Sequence, residues 1–468
     1  VGAVRAYCLL CFWFSSNRAR CQHFNGKALR LMGKSEYKPT GRHPFDNWFA
    51  GYDSRRAHNH KTPEACPMNV SNADALFQPL RLPCGVVLKN RAAKSAMSDS
   101  LGDGCGGPTY AQMNLYRRWA NGGAALSIVG EVQGTPHYAE KLGNLVFAAR
   151  SEEKRFKALA LAGSMDNTSL WLQLGHAGAM ADGLITTPKG PSALDLPGLA
   201  CGALSVDEIR NLPEEFAHTA LLAKKFGFGG VEIHAAHGFL LSQFLSPLFN
   251  KRTDAYGGSL EHRMRLLLET VDTVRRAVGP KYPVGVKLNA TDQLEGGFQI
   301  DEALAVVKAL DSTGIDLIDI SGGTYFPGAP SSSDRAGTGP YFLDFAERAR
   351  GVTDIPLMVT GGFKTRQQVV MAIERGQADM IGLARALVLD PDLVNDWKEG
   401  RATDPRFPRF DDPPEGGVTA FYTMQMTRIA NEQGDLSPCD LRDAIRLYEE
   451  RDHERRGVWS KHFTGWVR

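Results

Sequence analysis

From Asp74 onward, short apolar runs rich in β-branched residues alternate with stretches whose apolar positions recur every three to four residues. A strand period followed by a helix period, repeated, is the βαβ rhythm that builds a parallel sheet. The runs predict strands over 92–98, 125–132, 169–174, 230–234, 284–289, 316–321, 357–361 and 378–384. Helical spacing falls between them at 111–121, 206–226, 260–278, 301–313 and 365–375. The stretch from Leu260 is the clearest. Leu260, Met264, Leu267, Val271, Val274 and Val278 share one face, Ser259 can cap its start, and Gly279-Pro280 ends it. Eight strands with helices between them is the count of a (β/α)8 TIM barrel, so the fold class is α/β. A doubly wound open sheet is the structural alternative, but no GxGxxG follows the first strand.

Before the barrel, LFQPLRL and VVLKN read as a hairpin that caps one end. Residues 176–205, with three prolines and many glycines, read as a loop over the mouth. The division expected is an extension over 1–67, the barrel over 68–414 and a mostly helical tail over 415–468. The end of that tail, LYEERDHERR, has the charge run of a solvated helix, with partner contact as the other reading.

At 468 residues, with 43% apolar and 23% charged positions, the chain has room for one large barrel with extensions and an ordinary globular composition. The net charge of +2 is unevenly spread. Residues 1–67 hold eleven Lys/Arg and four Asp/Glu, giving +7, which leaves −5 for the rest. An acidic body without a basic stripe gives no case for nucleic acid. Tyr7–Phe14 is too short for the roughly 20 apolar residues of a membrane span, and it lacks a clear cleavage site for a secretory signal. The Arg-rich start leaves organellar import open. The extension is otherwise expected to be disordered or non-native, because the chain begins with Val and Met68 directly precedes sequence that reads as ordered. The eight cysteines are scattered, and Cys8-Leu-Leu-Cys11 lacks the βαβ context of a redox motif, so they read as reduced thiols of a cytoplasmic protein.

Catalytic groups of a TIM barrel project from the C-terminal ends of its strands. Strand one ends in Ser95–Ser98, strand three carries Gln173 and His176, and strand four ends in His234 with His237 three residues on. Lys287 lies inside PVGVKLN, where a buried cation is costly unless an anion answers it. It reads as a partner for an electron-rich ring, as a Schiff-base nucleophile, or as a lysine snorkelling to the mouth. Gly361-Gly362 and Ala384-Arg385 follow strands seven and eight, where barrels bind phosphate; turn glycines and a surface arginine are the bland alternative. His234 and His237 have no third ligand at metal spacing, so no metal is expected. They read either as a buried hydrogen-bonded pair or as two donors converging on one substrate oxygen.

The string VEIHAAHGFLLSQFLSPLFNKRTDAYGGSLEHR over Val231–Arg263, with these strand ends, resembles the signature of the Old Yellow Enzyme family over roughly 74–397. The resemblance implies a non-covalent FMN across the barrel mouth, NAD(P)H as co-substrate and a small-molecule electron acceptor. By it, Ala96, Met97 and Ser98 line the flavin, Gln173 meets its pyrimidine side, and Lys287 stands by N1/O2. Gly361, Gly362, Ala384 and Arg385 hold the phosphate, and His234 and His237 grip the acceptor's oxygen. One departure stands out. Relatives commonly carry Tyr two residues after the second histidine to protonate the acceptor's α-carbon; Phe239 stands here and has no proton to give. Tyr325 is the candidate replacement and Tyr110 another. A flavin-free Schiff-base lyase using Lys287 and a non-catalytic FMN-binding barrel are the rival functions, and the oligomeric state, a homo-oligomer included, stays open.

Overall fold

In the computed structural model, which describes residues 74–148, 152–329, 339–401, 404–410, 413–414, 416–433 and 440–464, eight parallel strands close on themselves. They are β1 (Ala92–Lys94), β2 (Leu126–Gln133), β3 (Ser169–Leu174), β4 (Gly230–Ala235), β5 (Val284–Asn289), β6 (Leu317–Ser321), β7 (Leu357–Thr360) and β8 (Met380–Leu383). Each pairs with the next, and β8 returns to β1. This is the expected (β/α)8 barrel. Helices run between the strands: α1 (Tyr110–Asn121), α2 (Glu153–Gly163), α3 (Val206–Lys225), α4 (Arg265–Val278), α5 (Ile300–Leu310), α6 (Leu343–Arg350) and α7 (Arg366–Glu374). The readings of residues 1–67 fall outside the described residues.

Side chains alternate across a strand, so every second residue points into the barrel. At the N-terminal ends of the strands this interior is apolar. Leu126, Ile128, Trp171, Leu317, Met358 and Met380 form one buried cluster with Leu80, Leu82 and Leu88. Those three leucines belong to the antiparallel hairpin of Leu80–Arg81 and Val87–Leu88, which plugs this end of the barrel. Trp171 is the largest side chain in the layer, and glycines make room for it. A Cβ at Gly230 would sit 2.6 Å from its indole, and one at Gly285 would sit 3.0 Å away.

Two stretches differ from the sequence expectation. The helix read over 260–278 is interrupted at Met264, between a short turn at Leu260–Arg263 and α4. There Arg263 is drawn inward, its guanidinium bonding the Leu245 carbonyl and pairing with Glu302. Ser259 does cap the first turn, and Gly279, at φ 78°, ends α4. The mouth loop after β3 carries a small sheet of Lys189–Gly190, Leu194–Leu196 and Leu199–Ala203.

Beyond the barrel come α8 (Arg385–Leu389), α9 (Gly417–Ala430) and α10 (Leu441–Phe463). The charged end of α10 is not solvated all round. Trp459 and Phe463 are buried against Ala139, Leu142 and Val146 of the loop after β2, and Arg455 donates to Ser100. Among the described residues no helix is long and apolar enough to cross a membrane.

Replacing Trp171 with Ala empties the lower barrel layer. The expected loss is about 3–5 kcal/mol of unfolding free energy in a urea titration. A loss under about 1 kcal/mol would show that the ring does not anchor this layer.

Candidate functional site

At the C-terminal ends of the strands the interior turns from apolar to polar, and a cavity of about 270 Å³ opens there. It is lined by the residues the sequence assigned to the flavin, its phosphate, the acceptor and the replacement proton donor, while His176 lies outside it. Ala96, Met97 and Ser98 follow β1, and Gln173 ends β3. His234 and His237 come from β4 and its exit, Lys287 from β5 and Tyr325 from the loop after β6. Gly361 and Gly362 follow β7, while Ala384 and Arg385 follow β8. Tyr110 does not join them; it begins α1 and is largely exposed.

The floor is a buried polar network laid down by strand register. Lys287 on β5 sits opposite Asp319 on β6, and the two form an ion pair. Thr360 Oγ1 donates to Asp319 Oδ1 at 2.7 Å and lies 2.9 Å from Ser95 Oγ. Gln173 Nε2 donates to Glu232 Oε1 at 2.7 Å. Burial pushes the Glu232 carboxyl up to about 8, with Lys287 opposing and Asp319 adding to the rise. For Lys287, burial works against the charge, but Asp319 and Glu232 outweigh it and hold its pKa above the usual lysine value. A Schiff-base lysine needs the opposite, an amine made easy to deprotonate, so this environment counts against the lyase reading.

The two histidines form one wall. Their ring centroids are 5.2 Å apart with the planes inclined at 70°. His237 takes an unusual φ of 62°, held by a hydrogen bond from its N–H to Asn289 Oδ1 at 3.0 Å and by a 2.8 Å contact of Nε2 with Ser321 Oγ. Burial drives the pKa of His234 well down, and burial with Lys287 drives that of His237 to about 3. Both rings are therefore neutral near pH 7, with one N–H each to donate. The Ala236 N–H points at His234 Nδ1, 3.4 Å away, which leaves the His234 proton on Nε2.

Phe239 packs edge-on against His234 with centroids 5.0 Å apart, and Tyr325 lies edge-on to Phe239 at 5.7 Å. The Tyr325 N–H donates to the His237 carbonyl at 3.2 Å, tying the loop after β6 to the histidine pair. At the other side, Gly361 and Gly362 have φ of 125° and 84°, conformations that favour glycine and turn this backbone toward the cavity. The Arg385 guanidinium lies 5.7 Å from the Tyr422 ring centroid. Gly130 packs against the wall of Ala96, Met97 and Ser98: a Cβ there would come within 3.1 Å of both Ala96 Cβ and Gln173 Oε1 and would push them.

Several residues of the site, in the buried floor and at the mouth, escaped the sequence reading. Glu232 and Asp319 were legible in principle, as acids on the inward phase of VEIHA and LIDIS. Tyr422 of α9 and Tyr448 of α10, with Glu140 and Lys141 of the loop after β2, had no local signal. Only tertiary packing brings them to the mouth. Lys94 on β1 is outside the cavity. It is buried 4.3 Å from the Trp119 ring centroid, and burial pushes it down to about 7. Among the described residues no three His, Cys, Asp or Glu side chains are grouped to hold a metal ion.

His176, stacked on Tyr138 and accepting the Gly178 N–H through Nδ1, offers a pH test of this environment. Burial lowers its pKa to about 3. The unfolded chain takes up its proton below about 6.5 while the folded chain refuses it, so stability is lost as pH falls through that window. His176→Asn keeps an acceptor but removes the titration. Its stability should fall less steeply than wild type from pH ~6 to ~4, by about 1.4 kcal/mol per pH unit in urea titrations. Parallel curves would contradict the burial.

Comparison with known proteins gives a consistent result. The profile of the NADH:flavin oxidoreductase / NADH oxidase family matches residues 75–404. The chain is 34% identical over 353 residues to NADH-dependent flavin oxidoreductase iliE of Hypocrea jecorina (strain QM6a), covering 67% of this chain and 86% of that protein. It is 35% identical over 417 residues to the protein of the same name from Neonectria sp. (strain DH2), covering 81% of this chain but only 54% of that longer one. Among solved structures, morphinone reductase superposes with a TM-score of 0.62 at 26% identity, covering 73% of this chain and 93% of that one.

Proposed function

The chain belongs to the NADH:flavin oxidoreductase / NADH oxidase family, whose members use FMN and NAD(P)H, and from that premise we propose that its barrel-mouth cavity reduces an electron-poor small molecule at the expense of NAD(P)H. The acceptor classes are an activated alkene, a nitro compound or dioxygen. The observation that carries the reading is the convergence, in one cavity, of two neutral histidines, a glycine-turned backbone with an arginine, and the wall of Ala96, Met97 and Ser98.

The residues present fit FMN. Ala96, Met97 and Ser98 offer a cavity wall for a flat ring, and Gln173 and Lys287 offer polar partners to its pyrimidine edge. Gly361, Gly362, Ala384 and Arg385 suit a phosphate, through backbone N–H groups and a guanidinium. When bound, FMN supplies a carrier that takes hydride from NAD(P)H and gives it to the acceptor.

The protein's own part is to bind, polarise and protonate. Neutral His234 and His237 each donate an N–H toward the acceptor's carbonyl or nitro oxygen, drawing electron density onto it and leaving the β-carbon of an alkene open to hydride. Their neutrality matters, because the donors polarise the oxygen without titrating near pH 7. Phe239 cannot supply the proton that the α-carbon then needs. The Tyr325 phenol, beside Phe239 on the cavity wall, is the group assigned to it, and at 61% exposure it can recover its proton from water.

Two substitutions test this assignment with separate half-reactions. Tyr325→Phe is expected to slow alkene turnover by about 10²–10⁴-fold while stopped-flow reduction of the flavin by NAD(P)H stays within about twofold. Phe239→Tyr, which returns a phenol to the family's position, is expected to raise alkene turnover, again without changing flavin reduction. If Tyr325→Phe turns over alkenes at the wild-type rate, the proton comes from elsewhere.

A further inference from the structure

The helix α9 turns Thr419, Tyr422 and Thr423 toward the cavity, and their spacing of three and four residues is that of one helix face. Its other faces dock it there. Phe421 is fully buried and lies edge-on to Phe410 with centroids 5.2 Å apart, and the Asn114 amide of α1 donates to the Ala430 carbonyl at 3.3 Å. Residues past 404 lie outside the family-matched segment, so this stretch of wall is built from sequence beyond it. The reduction described above uses none of the three side chains.

Tyr422 is only 4% exposed, yet its phenol makes no hydrogen bond among the described residues. A buried phenol normally has a partner, because a hydroxyl stripped of water and left unpaired costs about 1–3 kcal/mol. Thr423 spends its own hydroxyl on the Thr419 carbonyl at 2.9 Å, which leaves the phenol as the buried donor of this face. Burial raises its pKa to about 12, so it keeps its proton near pH 7. The Arg385 guanidinium lies over the Tyr422 ring, 5.7 Å from the centroid, a distance at which ring and cation attract. Among the described residues Arg385 is also the one charge that acts on the phenol. The single acid lining the cavity, Glu140 in the loop after β2, does not act on it.

An unpaired O–H beside a guanidinium suits an acceptor that carries negative charge. The backbone of Gly361, Gly362 and Ala384 borders the same cavity, so the acceptor at hand is the phosphate assigned to that end. We infer that Tyr422 is a phosphate-binding residue of this chain, its phenol donating to a phosphate oxygen of the cofactor and its ring holding the Arg385 guanidinium in place for the same group. This rests on the reading of the backbone after β7 and β8 as the FMN phosphate site. It makes α9 a part of the cofactor site rather than a cover for the barrel.

Titration of flavin-stripped full chain with FMN and with riboflavin, followed by flavin fluorescence, decides it, with the wild type setting the preference for FMN. Tyr422→Phe keeps the ring over Arg385 and removes only the O–H. It is expected to weaken FMN binding by about tenfold or more while riboflavin changes less than about twofold. Tyr422→Leu, which removes the ring as well, is expected to lower the FMN preference at least as far. Where the wild type prefers FMN, an unchanged FMN affinity in Tyr422→Phe, or a loss shared equally by riboflavin, overturns the inference and leaves the phosphate site standing. A wild type that binds both flavins equally defeats the phosphate-site reading itself, and this inference falls with it.

Discussion

Lys287 keeps its charge inside the barrel because strand register lays the Asp319 carboxylate beside it. Removing one partner of such a buried pair typically costs about 3–5 kcal/mol, since the remaining charge has no water to turn to. That constraint fixes the layer above the apolar plug. With a cation, two acids, an amide and two hydroxyls in it, the upper barrel cannot be packed with leucines as the lower barrel is. The mouth stays open as a polar-floored cavity. Because Glu232 is pushed up to about 8, it is mostly protonated near pH 7, so the Lys287–Asp319 pair is close to neutral overall. Such a floor suits a ring that gains electrons better than a negative one would.

The same economy shows in the histidines. Burial keeps both neutral, so each holds one N–H in a fixed position, with the strained φ of His237 held by Asn289 and Ser321. Backbone strain of this kind persists where the surroundings over-determine it. The elements that close the barrel are unrelated to one another. The hairpin seals the N-terminal end with leucines, and α9 and α10 build part of the mouth with Tyr422 and Tyr448. The cavity within the family-matched segment is thus bordered by residues that lie beyond that segment.

Much of this was legible in the sequence. The eight strands stand out because a barrel strand buried on both faces is a short apolar run between turn residues, as in PVGVKLN and LIDIS. The histidine pair and the Gly-Gly turn were legible because they sit at strand ends, where the fold projects its chemistry. What failed to show was whatever depends on long-range packing. No periodicity reports the interruption at Met264 or the pairing of its neighbour Arg263 with Glu302. The strands over the mouth between Lys189 and Ala203 are too short to stand out from a Pro/Gly-rich loop. Charge on α10 pointed to solvent, and Trp459 and Phe463, which dock it, are too widely separated from its other apolar positions to mark a buried face.

The central claim, that this cavity seats FMN with its phosphate on the backbone after β7 and β8, is tested most directly by titrating flavin-stripped full chain with FMN and with riboflavin while following flavin fluorescence. The account predicts one FMN per chain, with riboflavin weaker by about tenfold or more, because Gly361, Gly362 and Arg385 then have no phosphate to hold. Failure to bind FMN, or equal affinity for both, would contradict it.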